Sequence, residues 1–111
     1  MAGSKTIFNN SSVAISVTVT QRLGEPGNDG ASVSGNIDPQ TSVTLQYGDN
    51  DNPYMNALAV TESFNGSYNS ATFVTSARGG PGTLDNLFNT NSTIVVAYNT
   101  ANYGFSITAH N

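Results

Sequence analysis

The sequence has no cysteine, no tryptophan and a single lysine in 111 residues. Without cysteine there is no disulfide framework, no thiolate zinc site and no Cys nucleophile. Only three Lys and Arg face seven Asp and Glu, a net charge of −4, so the chain has no basic footprint for DNA or RNA. No apolar run approaches the roughly 18 residues of a membrane-spanning helix. Met1 to Lys5 lacks the basic start and apolar stretch of an export signal. Histidine is almost absent too: the one His is His110, beside the last residue, where chains usually fray. With no Gly-x-Ser-x-Gly elbow, that leaves nothing from which to build a Ser-His-acid triad.

The acids give no better basis for catalysis. Two carboxylates facing each other across a cleft are the minimum for glycosidase-type chemistry. The candidates are Asp29, Asp38, Asp49, Asp51, Glu62 and Asp85. All but Glu62 fall in stretches rich in Gly, Pro or Asn, where Asp serves turns. Glu62 lies in a strand-like run, and its neighbours Thr61 and Ser63 predict a solvent-facing side chain or a strand end. Gly79-Gly80-Pro81-Gly82 lacks the Lys-Ser/Thr ending of a phosphate loop, and Pro81 removes a backbone donor. The expectation is a protein that is not an enzyme.

Uncharged polar residues fill the space left by the missing charges: 15 Asn, 13 Ser and 13 Thr. With so little lysine, this composition favours an extracellular or surface-exposed protein. Four Asn-x-Ser/Thr sequons start at Asn9, Asn10, Asn65 and Asn91, which such a composition produces by chance.

The organising signal is alternation with period two. Val13, Ile15, Val17 and Val19 form one apolar face, and Ala14, Ser16, Thr18 and Thr20 the polar one, with Arg22 closing the run. Strands are expected over 5–8, 13–20, 31–37, 41–47, 55–64, 68–77, 92–98 and 103–109. Asn65-Gly66 suits a type I′ hairpin, because both residues tolerate φ > 0. Within the irregular stretch 78–91, one helical turn over 83–88 would tuck Leu84, Leu87 and Phe88 under the sheets. About eight short strands with frequent turns predict one domain over 1–111. Its expected form is an all-β, immunoglobulin-like or jelly-roll-like antiparallel β-sandwich. The aromatic residues Tyr47, Phe64, Phe73, Tyr98 and Phe105 are expected in its core or rim. Arg22 and Arg78 are each expected to have a carboxylate partner.

The most polar loop is Gly48–Tyr54. In it Asp49-Asn50-Asp51-Asn52 sets two carboxylates two residues apart, with amides between and after. Hard cations such as Ca²⁺ take six to eight oxygens, often alternating along a tight loop. The run resembles the D-x-N-D-N segment of cadherin linkers. It also resembles the acidic loop of calcium-dependent bacterial lectins of the fucose-binding type, which are small Cys-free β-sandwiches. The resemblance covers about six residues. It departs from the lectin pattern at Pro53, where another oxygen ligand would stand, and no bidentate Glu follows. It implies calcium at Asp49 and Asp51, and a ligand held by Asp49, Asn50, Asp51, Asn52 and Tyr54. Tyr54, between Pro53 and Met55, is the aromatic residue expected to be exposed; Tyr68, Tyr98 and Tyr103 near strand ends are further candidates for stacking on a sugar.

Two functional readings follow. One is a recognition module that binds a glycan or another surface ligand through loops at one end of the sandwich. The other is a subunit of a coat, fibre or appendage that associates with copies of itself into a homo-oligomer. Lysine commonly protects sheet edges from edge-to-edge pairing, and this chain has almost none.

Overall fold

The computed structural model describes residues 3–22, 29–48, 54–64, 67–74, 84–89, 91–99 and 104–111. Among the described residues there are eight strands and one short helix. In chain order they are β1 (Gly3–Asn9), β2 (Ile15–Arg22), β3 (Asp29–Ile37), β4 (Ser42–Tyr47), β5 (Met55–Phe64), β6 (Ser67–Val74), α1 (Leu84–Asn89), β7 (Thr93–Asn99) and β8 (Gly104–His110). The strands form two four-stranded sheets, ordered β4-β1-β7-β8 and β3-β2-β5-β6. The sheets face each other over one core, so the fold is an all-β sandwich.

Alternation explains which side chains meet. Ile15, Val17 and Val19 on β2 and Leu58 and Val60 on β5 point inward from one sheet; Ile7, Leu45, Ile94 and Val96 point inward from the other. Ile7, Val17, Val19, Leu58, Val60, Ile94 and Val96 are wholly buried. Full burial of each such side chain contributes about 1.5–3 kcal/mol. Tyr47 and Tyr98 are buried as expected, and Phe73 and Phe105 pack partly buried against the core. The helix, nearly where it is expected, sinks Phe88 fully into the same core, with Leu87 half-buried beside it. The side chains of Phe64 and Leu84 lie outside the described residues.

Four expectations need correction. The sandwich is not wholly antiparallel, because β1 pairs with β7 in parallel, from Thr6↔Thr93 to Asn9↔Val96. Parallel neighbours need a long crossover, and the whole of β2 to α1 lies between these two strands. Glu62 is only 3% exposed. Its position shares parity with Leu58 and Val60, and that alternation outweighs its polar neighbours. Arg22 is also buried, because the β2 register shifts after Thr20 against both neighbouring strands. At this irregularity two successive side chains, Gln21 and Arg22, are both buried. Finally, Asp29 belongs to β3 rather than to a loop, while Asp85 lies in α1, within the helical turn expected over 83–88.

On one long side of the sandwich, β3 packs closely against β4 across the sheets: a Cβ added at Gly35 would stand 3.3 Å from Leu45 Cδ2 and 3.7 Å from the Val43 methyls. Val33 and Val43 on that side are partly buried, as are Phe73 of β6 and Phe105, Ile107 and Ala109 of β8 on the other. Strand order also separates this chain from an immunoglobulin constant domain. There the first two strands share a sheet; here β1 and β2 lie in opposite sheets.

The turn joining β1 to β2 is built on one buried amide. Asn9 is wholly buried. Its Nδ2 donates to the carbonyls of Val13 (2.8 Å), Ile37 (3.0 Å) and Asp38 (3.3 Å), and its Oδ1 accepts from Ser11 Oγ at 2.5 Å. Its backbone N–H donates to the Thr41 carbonyl and its carbonyl accepts from Gln40, which sits at φ 59°. One residue therefore ties the β1–β2 turn to the β3–β4 turn.

Candidate functional site

The loop singled out in the sequence leaves β4 through Gly48, whose φ of 72° favours glycine. Asp49, Asn50, Asp51, Asn52 and Pro53 lie outside the described residues, and so do Tyr103 and the Tyr68 side chain. The structure does describe Tyr54, and places it at the mouth of β5. It is the one large hydrophobic residue exposed among those described, at 46%.

Tyr54 stands on a rigid base. Its ring lies over the Arg22 guanidinium, whose central carbon is 4.9 Å from the ring centroid. Such a contact is worth about 0.5–2 kcal/mol, depending on desolvation. The Tyr54 carbonyl also accepts from the Arg22 backbone N–H at 2.9 Å. The next residue, Met55, is wholly buried and pinned at both backbone groups. Asn89 Oδ1 accepts from its N–H at 2.8 Å, and Asn89 Nδ2 donates to its carbonyl at 3.2 Å. The last residue of α1 thus imitates a neighbouring strand for the first residue of β5.

Beneath this lies Lys5, which is buried on β1. Its Nζ donates to the carbonyls of Phe88 and Asn91, satisfying groups that the end of α1 would otherwise leave without partners. Burial lowers its pKa from the usual 10.5, because the charged amine is removed from water. Tyr47, at the end of β4, is pushed up to about 12 by the same cause, since burial penalises the phenolate.

At the opposite end, Asn69 Nδ2 donates to Glu62 Oε1 at 2.6 Å and to Tyr98 Oη at 3.0 Å, joining β5, β6 and β7. Tyr98 stacks at a tilt on Phe105, with centroids 4.7 Å apart. Tyr98 is thus an internal residue rather than a stacking platform. His110 is exposed on β8. Among the described residues, no three His, Cys, Asp or Glu side chains gather in a way that could hold a metal ion. No described helix is long and apolar enough to cross a membrane.

The roles of Lys5, Asn9 and Asn89 were not read from the sequence. A signal for the first two exists: Lys5 and Asn9 share parity with Ile7 on β1, so alternation sends them inward. Asn89 leaves no such mark, because its partner is 34 residues away. Comparison with known proteins gives no matching family model, no similar characterised protein and no similar solved structure.

Proposed function

We propose that the chain is a non-enzymatic recognition module that binds a glycan or another surface ligand at the α1 end of the sandwich. The observation that supports this most is Tyr54, an exposed aromatic ring held from below by Arg22 and pinned behind by Met55. Ordering a ligand costs less on a side chain already fixed. In this reading Tyr54 stacks on the ligand, while Asp49, Asn50, Asp51 and Asn52 read its hydroxyl groups. Asp49 and Asp51 are the proposed calcium ligands. In this reading the sandwich is immunoglobulin-like in its two facing sheets and end loops, though not in its strand order.

The test is thermal unfolding with and without millimolar Ca²⁺, followed by a glycan array on wild type and Tyr54→Ala. A ligand at a hundredfold excess over its Kd stabilises the folded state by about 2.7 kcal/mol. For a domain of this size that raises Tm by roughly 10 °C or more. Such a shift, lost in Asp49→Asn/Asp51→Asn, supports the cation site. Array binding that Tyr54→Ala leaves intact overturns the proposed platform.

A second reading, self-association, has its own observation. β4 and β8, the two edges of one sheet, contain no Lys, Arg, Asp, Glu or Pro. These are the residues that usually keep edges from pairing.

A further inference from the structure

We propose that β1 is an exchangeable strand: the sheet that holds it accepts β1 of a second copy in place of its own, so that two chains trade this strand. This rests on the self-association reading and gives that reading its means of assembly.

The first described strand is an inner strand of its sheet, lying between β4 and β7. It pairs antiparallel with β4 from Gly3↔Tyr47 to Phe8↔Ser42, and parallel with β7 from Thr6↔Thr93 to Asn9↔Val96. β4 and β7 do not pair with each other. The slot between them takes one strand, and the structure shows the sequence that fills it. On its C-terminal side, β1 is joined to the other elements through residues 10–14, which cross to β2 in the opposite sheet.

β1 is held differently from the strands around it. Its buried inward side chains are Lys5, Ile7 and Asn9, of which only Ile7 is apolar. The matching residues are Ile94, Val96 and Tyr98 on β7, and Ile15, Val17 and Val19 on β2. Leaving the slot therefore exposes little apolar area, the main source of cohesion in a core. Directional bonds fix β1 instead, and most of them reach far along the chain. Lys5 Nζ donates to the carbonyls of Phe88 and Asn91, and Asn9 Nδ2 to those of Ile37 and Asp38. The Thr6 N–H donates to the Ser92 carbonyl at 3.0 Å. All these acceptors lie beyond residues 10–14, so a second copy offers the same set to an incoming β1. An empty slot would leave them unpaired, which is costly for buried carbonyls. It therefore selects a strand with an amine at one end and an amide at the other, and β1 of another copy is that strand.

Exchange preserves these contacts, so the closed and exchanged forms differ mainly over residues 10–14. In the closed chain Ser11 Oγ donates to Asn9 Oδ1 at 2.5 Å and to the Val13 carbonyl at 3.0 Å. Those local bonds favour the closed form in dilute solution. Concentration works against them, because a strand on a short link competes at an effective concentration on the order of millimolar.

The test is to ask whose β1 fills the slot. Thr6 of β1 and Thr44 of β4 are directly opposed, with hydroxyl oxygens 2.9 Å apart, and the chain has no cysteine. Cysteines at those two positions therefore lie within disulfide reach. Chains with Thr6→Cys and chains with Thr44→Cys are unfolded together in urea, refolded at micromolar and at millimolar concentration, and oxidised. The expected product is a mixed disulfide that rises with concentration. At millimolar concentration it exceeds, by about tenfold, the yield from Thr6→Cys paired with Thr108→Cys, which lies on β8 and not beside β1. The double variant Thr6→Cys/Thr44→Cys, refolded dilute and oxidised, locks β1 into its own sheet. It should sediment as a monomer at concentrations where the wild type associates, and reductant followed by refolding should restore association. A locked chain that associates like the wild type overturns the exchange and leaves self-association standing. So does a mixed disulfide no more abundant than the Thr108→Cys control while the wild type associates. A wild type that stays monomeric to millimolar concentration, with the mixed disulfide at the control level, overturns both.

Discussion

The two ends of this sandwich solve the same problem with different chemistry. At one end the Asn9 amide gathers three carbonyls and a hydroxyl. At the other the Lys5 amine gathers the carbonyls of Phe88 and Asn91. In each case one buried polar side chain on β1 holds a neighbouring turn or helix end to the sheet. The amide is neutral at every pH. The amine carries a charge that burial opposes. The comparison teaches that the two closures should contribute differently to stability and should respond differently to alkali.

The largest expected effect comes from the neutral end. Asn9→Ala withdraws the amide shared by three carbonyls and the Ser11 hydroxyl; Ser11 and Val13 keep each other and Asp38 keeps Thr41, so the cost is about 2–4 kcal/mol. Urea unfolding should show the midpoint falling with the slope unchanged. Lys5→Met removes one buried and one partly buried hydrogen bond but also the cost of burying a charge, so its net loss at neutral pH is smaller, about 1–3 kcal/mol. If Lys5→Met proves the more damaging of the two, the ranking of the ends is reversed.

The pH dependence sharpens the contrast. The unfolded chain protonates Lys5 at about pH 10.5, whereas the buried amine does so only at lower pH. Between those values the unfolded state binds more protons, so stability rises with pH. Tyr47 acts with the opposite sign. Its native pKa of about 12 lies above the ordinary 10.0, so the stability it contributes is present below pH 10 and is lost as pH rises through 12. A gap of that size is worth about 3 kcal/mol. Stability should therefore climb and then fall on the alkaline side. Lys5→Met should flatten the climb and Tyr47→Phe the fall, while Asn9→Ala should shift the whole curve downward without changing its shape. Guanidinium midpoints across pH 8–12 would separate the three. The smallest effect is expected at the surface: Thr18→Val breaks one exposed hydroxyl pair with Ser34 and should change stability by less than about 0.5 kcal/mol.

The strands were largely legible because β-branched residues at alternate positions declare both the strand and its buried face. Val17 and Val19, or Ile94 and Val96, need no partner information to be read as core. The helix was legible from the spacing of Leu84, Leu87 and Phe88. Sheet membership was not, because alternation is the same whichever strand lies alongside. The parallel pair of β1 and β7 depends on a crossover that no local pattern encodes. Arg22 was misread because the register shift after Thr20 interrupts the alternation and buries two successive side chains, Gln21 and Arg22. Glu62 was misread because side-chain polarity was weighed above parity. At the candidate site, the exposure of Tyr54 was legible from its place between Pro53 and the apolar start of β5. The Arg22 and Asn89 contacts that steady it are products of tertiary placement, and no short-range pattern announces them.

The burial of Asn9 also bears on how the chain can be made. Asn9-Asn10-Ser11 is a sequon, and its acceptor atom is the same Nδ2 that holds the two turns together. An oligosaccharide attached there during synthesis would take up that nitrogen and force a bulky, hydrated group into a closed interior. Modification at Asn9 and completion of the fold are therefore mutually exclusive, whereas the exposed Asn10 beside it faces no such conflict. In a glycosylating host, a glycan on the folded product within this pair of overlapping sequons should map to Asn10 and not to Asn9, and chains modified at Asn9 should be retained as unfolded material.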